Sequence, residues 1–246
     1  MREQWTVETP AGGWGHPWPQ CLELAREVPS KKWTLIGGLM VQLHAVNAGM
    51  EITRPTEDVD VLVHIETSTA LVPGVAESLR QLGYEILEPM DRKSPAHRFK
   101  RGEEQVDVMI ADHPAPRVVP KMAGREMVRV PAGTQALRRT VDCKISLNDG
   151  SWVTVSIPNP LGAVVLKGAA YAGDSRDRER HLDDAAVLLS TIDNPFELRS
   201  QFKGSDRKRI NYLQRALNDP IHKSWLLLDE RHREQGQAAL ALLARD

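Results

Sequence analysis

The segment from residue 54 to residue 63 constrains the fold more than any other part of this chain. It sets Asp58 and Asp60 in alternation with valines. Because side chains of a β-strand alternate between its two faces, the pattern predicts a strand with both carboxylates on one face. Two carboxylates placed in this way can hold a hard divalent cation. The pattern therefore indicates metal-dependent phosphate chemistry.

A glycine pair precedes this strand. Residues 33–36 form a short apolar run that predicts a buried strand, Gly37 and Gly38 predict a tight turn, and residues 39–46 have helical spacing. Glycine lets the backbone come close to a ligand, and the N-terminus of a helix offers free N–H groups to phosphate oxygens. We therefore expect a triphosphate to lie between the glycine turn and the acids.

A third acid follows on a later strand. Residues 105–110 repeat the alternation, with Asp107 facing opposite to the neighbouring valines. If this strand pairs beside the first, the three carboxylates form one site for two Mg²⁺ ions, with Mn²⁺ as the alternative. Asp58 and Asp60 would bridge the ions. Asp107 would complete the sphere of the catalytic ion, and it is also a candidate to accept the proton of the attacking hydroxyl.

The composition along the chain predicts an α/β N-terminal half and a helical C-terminal half. Residues 1–20 are rich in Pro, Gly and Trp and read as an irregular arm, and Asn159 followed by Pro160 predicts a helix start. We expect an α/β domain over 1–158 and a helical domain over 159–246. Further strands are predicted at 84–87, 97–100, 127–130, 141–147 and 152–157 with a turn at Asn148–Gly150, and helices at 21–28, 73–82, 161–171, 178–191, 195–202, 206–218 and from 220 onward.

Two parts of the sequence resemble a known family. The segment from Leu35 to Val63 is similar to the core of the polymerase-β-like nucleotidyltransferases, in the branch where Gly-Gly replaces Gly-Ser. The segments 159–167 and 178–189 resemble the AbiEii-type and MenT-type toxins of toxin–antitoxin systems. The resemblance covers about residues 33–190. It implies an α/β (α+β) fold, with a nucleotidyltransferase sheet, flanking helices and a C-terminal helical bundle.

The resemblance also implies an activity and two further site residues. In that family a helix lysine lies against the triphosphate and an aspartate on the next helix is required, and Lys167 and Asp184 match those positions. The implied reaction transfers nucleotides from a nucleoside triphosphate to the 3′ end of tRNA, and an antitoxin is the implied partner. An acidic residue that the family commonly carries three positions before the last aspartate is absent, since Arg180 and His181 stand there, which leaves the role of His181 open.

The residues themselves add to this reading. Lys167 has small or apolar neighbours nearly all round its helix, so its ammonium needs an anionic partner. Arg54 is a candidate to bind phosphate or to cap the metal loop, and Thr56 is a candidate to hydrogen-bond the turn. His44 has no other His or Cys near it in the pattern and is read as a packed helical histidine.

Composition limits the setting and the partners. The net charge of −1 excludes a surface that is basic throughout, and Cys21 and Cys143 are too few for a disulfide framework or a thiolate site. No segment has the length and apolarity of a membrane span, so we expect a cytoplasmic protein. An RNA acceptor would have to be bound by local basic groups, which are Arg98, Lys100, Arg101, Arg117, Lys121, Arg125, Arg129, Arg138, Arg139, Lys203, Arg207, Lys208 and Arg209.

Two other functions fit the same motifs. The Gly-Gly turn and the Arg-Pro-x-x-Asp-x-Asp run also resemble aminoglycoside and lincosamide nucleotidyltransferases. Such an enzyme needs an acidic pocket for a cationic drug, and the basic residues after Arg98 argue against one. A catalytically silent nucleotide-binding protein is the alternative from a different class, and the presence of all three acids and Lys167 argues against it.

Overall fold

The computed structural model describes residues 3–52, 54–66, 68, 70–91, 94–113, 121–147, 149–175 and 177–245. Over these residues the fold is a mixed α+β fold, as the sequence predicted. The chain divides into two compact units. Unit 1 takes in the described residues up to Met40 and those from Pro55 to Pro158, and unit 2 those from Val41 to Arg54 and from Asn159 onward. Because unit 2 also holds residues from before the acidic strand, the domain division at 158 stays a prediction.

The strands all belong to unit 1. They are β1 (Gln4–Val7), β2 (Trp33–Ile36), β3 (Asp58–Val63), β4 (Glu85–Ile86), β5 (Arg98–Arg101), β6 (Glu104–Ala111), β7 (Lys121–Met122), β8 (Arg125–Glu126), β9 (Arg129–Val130), β10 (Thr140–Ser146) and β11 (Trp152–Pro158).

The helices are found in both units. They are α1 (Trp18–Glu27), α2 (Gly37–Asn47), α3 (Leu71–Gln81), α4 (Gly133–Leu137), α5 (Pro160–Gly173), α6 (Arg178–Ser190), α7 (Pro195–Ser200), α8 (Asp206–Ala216), α9 (Lys223–Leu226) and α10 (Glu230–Ala244), with a 3₁₀ turn at Ser30–Lys32.

The central sheet of unit 1 has the order β2-β3-β6-β5-β4, and β9 pairs with the end of β6. β3 and β6 are parallel, whereas β2–β3, β5–β6 and β4–β5 are antiparallel. All four residues of β2 are buried, as expected for a strand without alternation. The predicted pairing of the two acidic strands is therefore confirmed.

A second sheet has the order β1-β10-β11. The predicted hairpin of β10 and β11 is confirmed by antiparallel pairing, although Asn148 of its predicted turn lies outside the described residues. The irregular arm predicted over residues 1–20 is corrected for Gln4–Val7, which pair with β10. Trp14 also donates from its indole Nε1 to the carbonyl of Ser146 (3.0 Å). These partners lie far along the chain, so the local composition could not indicate them.

Four helices of unit 2, α5 to α8, begin within one residue of the predicted positions. Oδ1 of Asn159 accepts from the backbone N–H of Gly162 (3.0 Å) and caps α5. The long helical stretch predicted from residue 220 is interrupted, because α9 ends at Leu226 and Asp229 caps a new helix by accepting from the backbone N–H of His232 (3.0 Å).

Three short elements of unit 1 were not predicted, namely β7, β8 and α4, and the strand predicted at 127–130 shrinks to β9. The carboxylate of Asp112 accepts from the backbone N–H groups of Ala132 (2.9 Å) and Thr134 (3.1 Å), which fixes the start of α4. Such contacts involve residues about twenty positions apart and leave no local periodicity.

Cys21 and Cys143 are both buried and unpaired by a disulfide, and burial raises the pKa of each thiol. Neither is therefore a reactive thiolate. Of the helices the structure describes, none has both the length and the apolar character that crossing a bilayer requires.

Candidate active site

Three carboxylates meet on one face of the central sheet. In the parallel pairing of β3 and β6, Asp60 lies directly beside Asp107, and Asp58 lies beside Gln105. Ligand oxygens of Asp58, Asp60 and Asp107 all lie within 4.8 Å of one another. Residues in register on parallel strands point to the same face, which is why the period-two pattern brings the three acids together.

The other face of these strands is a hydrophobic core. Val59, Val61, Val106, Val108 and Phe99 alternate with the polar residues and are completely buried. A shift of the register by one residue would put the acids into this core, so the valines fix the face on which the carboxylates lie.

The glycine pair forms the first residues of α2 instead of the separate turn that the sequence predicts, and it lies against the acids. Gly37 has a φ of +72°, which is in the left-handed region that favours glycine. A Cβ at Gly37 would overlap Oδ2 of Asp60, and a Cβ at Gly38 would lie 2.6 Å from Cβ and Oγ1 of Thr56. Only glycine at both positions allows the start of α2 to approach the acidic strand this closely.

We expect Gly37→Ala to displace Asp60. The left-handed backbone alone costs roughly 1–2 kcal/mol for a non-glycine residue, and the overlap with the carboxylate adds to it. Urea unfolding should therefore show a loss of stability, and binding of Mn²⁺ should weaken. Gly74→Ala in α3 is the matched control, since no atom lies within 4 Å of the added Cβ. Equal effects of the two substitutions would contradict the close approach.

Two polar neighbours hold Asp58. Oγ1 of Thr56 donates to Oδ1 of Asp58 (3.3 Å), and Nε2 of Gln105 donates to Oδ2 (3.4 Å). The sequence predicted a hydrogen bond of Thr56 to the turn, whereas the bond present among these residues is to the acid. Thr56 thus packs against the glycine turn and orients Asp58 at the same time.

Asp107 has a basic partner whose role at the acids the sequence did not indicate. Arg98 on β5 lies directly opposite Asp107 in the antiparallel register. Its Nε donates to Oδ1 (3.0 Å) and its terminal nitrogen donates to Oδ2 (2.9 Å), and Nε2 of His97 lies 3.7 Å from Oδ2. Arg98 was predicted only as part of a basic surface. Knowing that β5 pairs with β6 would have been the signal for this contact.

The three carboxylates fit a divalent cation. They offer oxygen atoms only, which are the ligands that Mg²⁺ and Mn²⁺ prefer, and their spacing allows one ion to contact all three. Among the described residues, this is the cluster whose ligand atoms come close enough together to hold a metal ion.

A second charged cluster lies within unit 2. Nζ of Lys167 donates to Oδ2 of Asp184 (2.7 Å), and Arg54 donates to Oδ1 from Nε (3.1 Å) and from a terminal nitrogen (2.9 Å). The side chains of Lys167 and Asp184 are only 8% and 4% exposed. The anionic partner that the surroundings of Lys167 require is therefore Asp184.

The electrostatics of this cluster favour the charged forms. Burial raises the pKa of Asp184, but the ammonium of Lys167 and the guanidinium of Arg54 together outweigh burial and hold this pKa below its ordinary value.

Burial lowers the pKa of His181, and the charge of Lys167 lowers it further, although Nε2 of His181 is hydrogen-bonded to Asp174 (3.1 Å). His181 therefore lies beside this cluster as a mostly neutral group. His44 is buried in α2, as expected.

Of the adjacent pair Asp183 and Asp184, the one that matches the family position is the buried one. Asp184 is 3% exposed. Asp183 is partly exposed and accepts from the hydroxyl of Ser224 (2.6 Å). The predicted site residues thus form two groups, with the three acids, the glycine pair and Thr56 in unit 1, and Arg54, Lys167 and Asp184 in unit 2.

A basic groove runs along α8 in unit 2. It has a volume of about 500 Å³ and is lined by Gly204, Arg207, Lys208, Asn211, Tyr212 and Arg215. Residues 203–215 hold five Lys and Arg in a chain of net charge −1. Asp206, the one acid in this stretch, is buried, accepts from the backbone N–H of Lys203 (2.8 Å) and is not among the residues that line the groove.

Two of the other predicted basic residues are paired with acids. Arg101 pairs with Glu23 and Glu104, and Arg125 pairs with Glu88. Arg117 lies outside the described residues.

Comparison with known proteins gives one structural similarity. No protein-family model matches the chain, and no curated protein matches it. A crystal structure described as that of an antigenic nucleotidyltransferase-like protein from Paracoccidioides brasiliensis is similar to the chain with a TM-score of 0.49 and 15% sequence identity. The similarity covers 81% of this chain and 88% of that one.

Proposed function

We propose that this protein is a metal-dependent nucleotidyltransferase, which transfers a nucleoside monophosphate from a nucleoside triphosphate to an acceptor hydroxyl. The observation that supports the proposal best is the cluster of Asp58, Asp60 and Asp107, with ligand oxygens within 4.8 Å of one another. The close approach of Gly37 to Asp60 adds to it, because it brings the N-terminus of α2, the end of a helix that can bind phosphate, beside the cation site.

The proposed reaction is one displacement at phosphorus. The acceptor hydroxyl oxygen forms a bond to the α-phosphorus, the bond from that phosphorus to the bridging oxygen breaks, and pyrophosphate leaves with the electron pair. The hydroxyl proton goes to Asp107 or to water. Two Mg²⁺ ions held by the three carboxylates, with Mn²⁺ as the alternative, would neutralise phosphate charge and make the hydroxyl more acidic.

The chain's own residues contribute position and charge. Thr56 and Gln105 hold Asp58 from its two oxygens, and the valines behind the strands keep the acids on one face. The backbone of Gly37 and Gly38 offers N–H groups to phosphate oxygens. That Lys167 and Arg54 contact phosphate, with Asp184 as their positioning partner, stays a prediction.

We propose the 3′ end of tRNA as the acceptor. Two observations support this choice, namely the sequence resemblance around Lys167 and Asp184 and the groove along α8. In the groove, Arg207, Lys208 and Arg215 supply charge for phosphates and Tyr212 supplies a ring for stacking. Arg207 and Arg215 lie eight residues apart, which is about 12 Å along a helix and spans more than one phosphate of a strand.

We expect the double substitution Lys208→Glu, Arg215→Glu to weaken tRNA binding. Each removed phosphate contact lowers the dependence of log K on log salt by about 0.9, so the slope should fall by about 2. Fluorescence polarisation with labelled tRNA at several salt concentrations measures both quantities. The matched control is Arg231→Glu, Arg233→Glu on α10, which makes the same charge change at two residues that do not line the groove. If both double substitutions weaken tRNA binding equally, the overall charge of the protein and not the groove determines the affinity.

We further propose that the enzyme acts as the toxin of a toxin–antitoxin pair. The support is the resemblance of segments 159–167 and 178–189 to the AbiEii-type and MenT-type toxins. Modification of the tRNA 3′ end would block aminoacylation, so expression should arrest growth, and co-expression of a cognate antitoxin should relieve the arrest. Arrest that persists in the Asp60→Asn variant would contradict a catalytic origin.

The direct test is a transfer assay. The protein is incubated with Mg²⁺, one labelled nucleoside triphosphate at a time, and total tRNA, with aminoglycosides and lincosamides as competing acceptors. Label on tRNA is the expected result. Label on a drug and not on RNA would favour the antibiotic-modifying alternative, and the absence of transfer to any acceptor would favour a silent nucleotide-binding protein.

A further inference from the structure

Arg98 belongs to the same row of side chains as the acids. Across three neighbouring strands, Asp60 of β3 lies beside Asp107 of β6, and Asp107 lies opposite Arg98 of β5. Their side chains therefore lie on one face of the sheet in the order acid, acid, base. Arg98 is thus a direct neighbour of the proposed cation site and contacts one of its acids.

The contact between Arg98 and Asp107 is bidentate. The two donors of the guanidinium fork each contact a different oxygen of Asp107, at 3.0 Å and 2.9 Å, which is the strong bidentate geometry. Asp107 is 8% exposed, whereas Arg98 is 37% exposed and has access to solvent on one side. The guanidinium can therefore leave Asp107 and be solvated by water, whereas the carboxylate stays buried.

The guanidinium is attracted by the whole cluster. The pKa of Arg98 is raised, chiefly by its hydrogen bonds to Asp107, and the charges of Asp58 and Asp60 contribute to the rise. A divalent cation among the three acids would be attracted by the same charges and would repel the guanidinium. When two cations share one anion, the binding of either one weakens the binding of the other by the same factor, because their coupling is reciprocal.

We propose that Arg98 competes with the divalent cation for Asp107 and so keeps the affinity of the site for metal alone low. This inference rests on the proposed cation site, and it makes Arg98 a positioning residue that acts through Asp107. Phosphate groups are good alternative partners for a guanidinium. A nucleoside triphosphate that takes over Arg98 would leave Asp107 to the metal, so that metal and nucleotide bind more tightly together than separately.

The test measures the binding of Mn²⁺ to the full chain without nucleotide, from the electron paramagnetic resonance signal of free Mn²⁺. We expect Arg98→Gln to lower the dissociation constant by roughly tenfold, the order of coupling between two linked sites. Arg98→Lys keeps the charge but loses the fork, so it should fall between wild type and Arg98→Gln. Arg101→Gln is the matched control on the same strand, because Arg101 pairs with Glu23 and Glu104 instead of the acids.

The opposite role predicts the opposite sign. If Arg98 only orients Asp107 for the metal, its removal should weaken Mn²⁺ binding by roughly 10–100-fold, as for other residues that support a metal ligand. An unchanged or weaker affinity of Arg98→Gln therefore overturns the competition. If circular dichroism shows that Arg98→Gln does not fold, Arg98→Lys decides by the same sign.

The design separates this inference from the proposed function. Tight Mn²⁺ binding by Asp60→Asn would overturn the carboxylate site, and the inference with it. Loss of binding in Asp60→Asn together with an unchanged Arg98→Gln overturns the inference alone. A tighter Arg98→Gln site in a protein that transfers no nucleotide would support the inference and contradict the proposed function.

Discussion

Replacing Asp60 by asparagine is expected to abolish nucleotidyl transfer while leaving the fold intact. Asp60 lies in register with Asp107 and against Gly37 at the start of α2. Asparagine keeps the shape that this turn packs against but removes the negative charge that holds the cations. A metal contributes several kcal/mol to such a transition state, so the rate should fall by roughly a thousandfold or more. The transfer assay with labelled nucleotide measures it.

Asp149→Asn is the control for this substitution. Asp149 lies between β10 and β11, where it pairs with Arg26 and accepts from Ser151, and it takes no part in the acidic cluster. Its variant should transfer nucleotide at the wild-type rate. Activity of Asp60→Asn within tenfold of wild type would show that this carboxylate does not hold a catalytic ion.

A large loss of stability is expected for Asp184→Asn. The carboxylate of Asp184 is the shared partner of Lys167 and Arg54, and it is almost completely buried. Removing its charge leaves the buried ammonium of Lys167 without an anion. Breaking one partner of a buried ion pair typically costs about 3–5 kcal/mol. Urea unfolding at pH 7 of the wild type and the variant measures the difference directly.

The neighbouring aspartate, Asp183, supplies the control for this substitution. Asp183→Asn keeps an acceptor for the Ser224 hydroxyl on a partly exposed side chain, so its effect on the free energy of unfolding should stay within about 0.5–1 kcal/mol.

The pH dependence of stability is a second readout for Asp184. Because the folded-state pKa of Asp184 is lowered, its charge stabilises the fold above the ordinary aspartate pKa of about 4. The difference between wild type and Asp184→Asn should be complete at pH 7 and shrink as the pH falls below that value. A difference that does not depend on pH would contradict the ionic explanation.

The parts of the fold with a strong local signal were predictable from the sequence. The alternation in residues 58–63 and 105–110 gave both acidic strands and the face their carboxylates share, and the Asn159–Pro160 pair gave the start of α5. What could not be predicted depends on residues far apart in the sequence. β1 needs β10, and α4 needs Asp112, so neither has a periodicity of its own.

The candidate site shows the same division. Asp58, Asp60, Gly37 and Gly38 stand within one short stretch, and their pattern predicted a shared site, but it did not predict that Gly37 lies directly against Asp60. The partner of Asp107 depends on the antiparallel register of β5 and β6, and the partner of Arg54 lies 130 residues away on α6. A basic residue in a sequence offers many possible acids, and only the tertiary structure selects Asp107 for Arg98 and Asp184 for Arg54.

The position of β1 affects the order in which unit 1 can fold during synthesis. Gln4 pairs with Asp142, so β1 leaves the ribosome long before β10, the strand that it hydrogen-bonds, has been translated. The acidic sheet contains β2, β3, β5 and β6, which are translated before β10. This sheet can therefore begin to form while β1 still lacks its partner strand. Pairing between such distant segments is slow. We therefore expect the last step in the maturation of unit 1 to be the closure of its small sheet by the N-terminal strand.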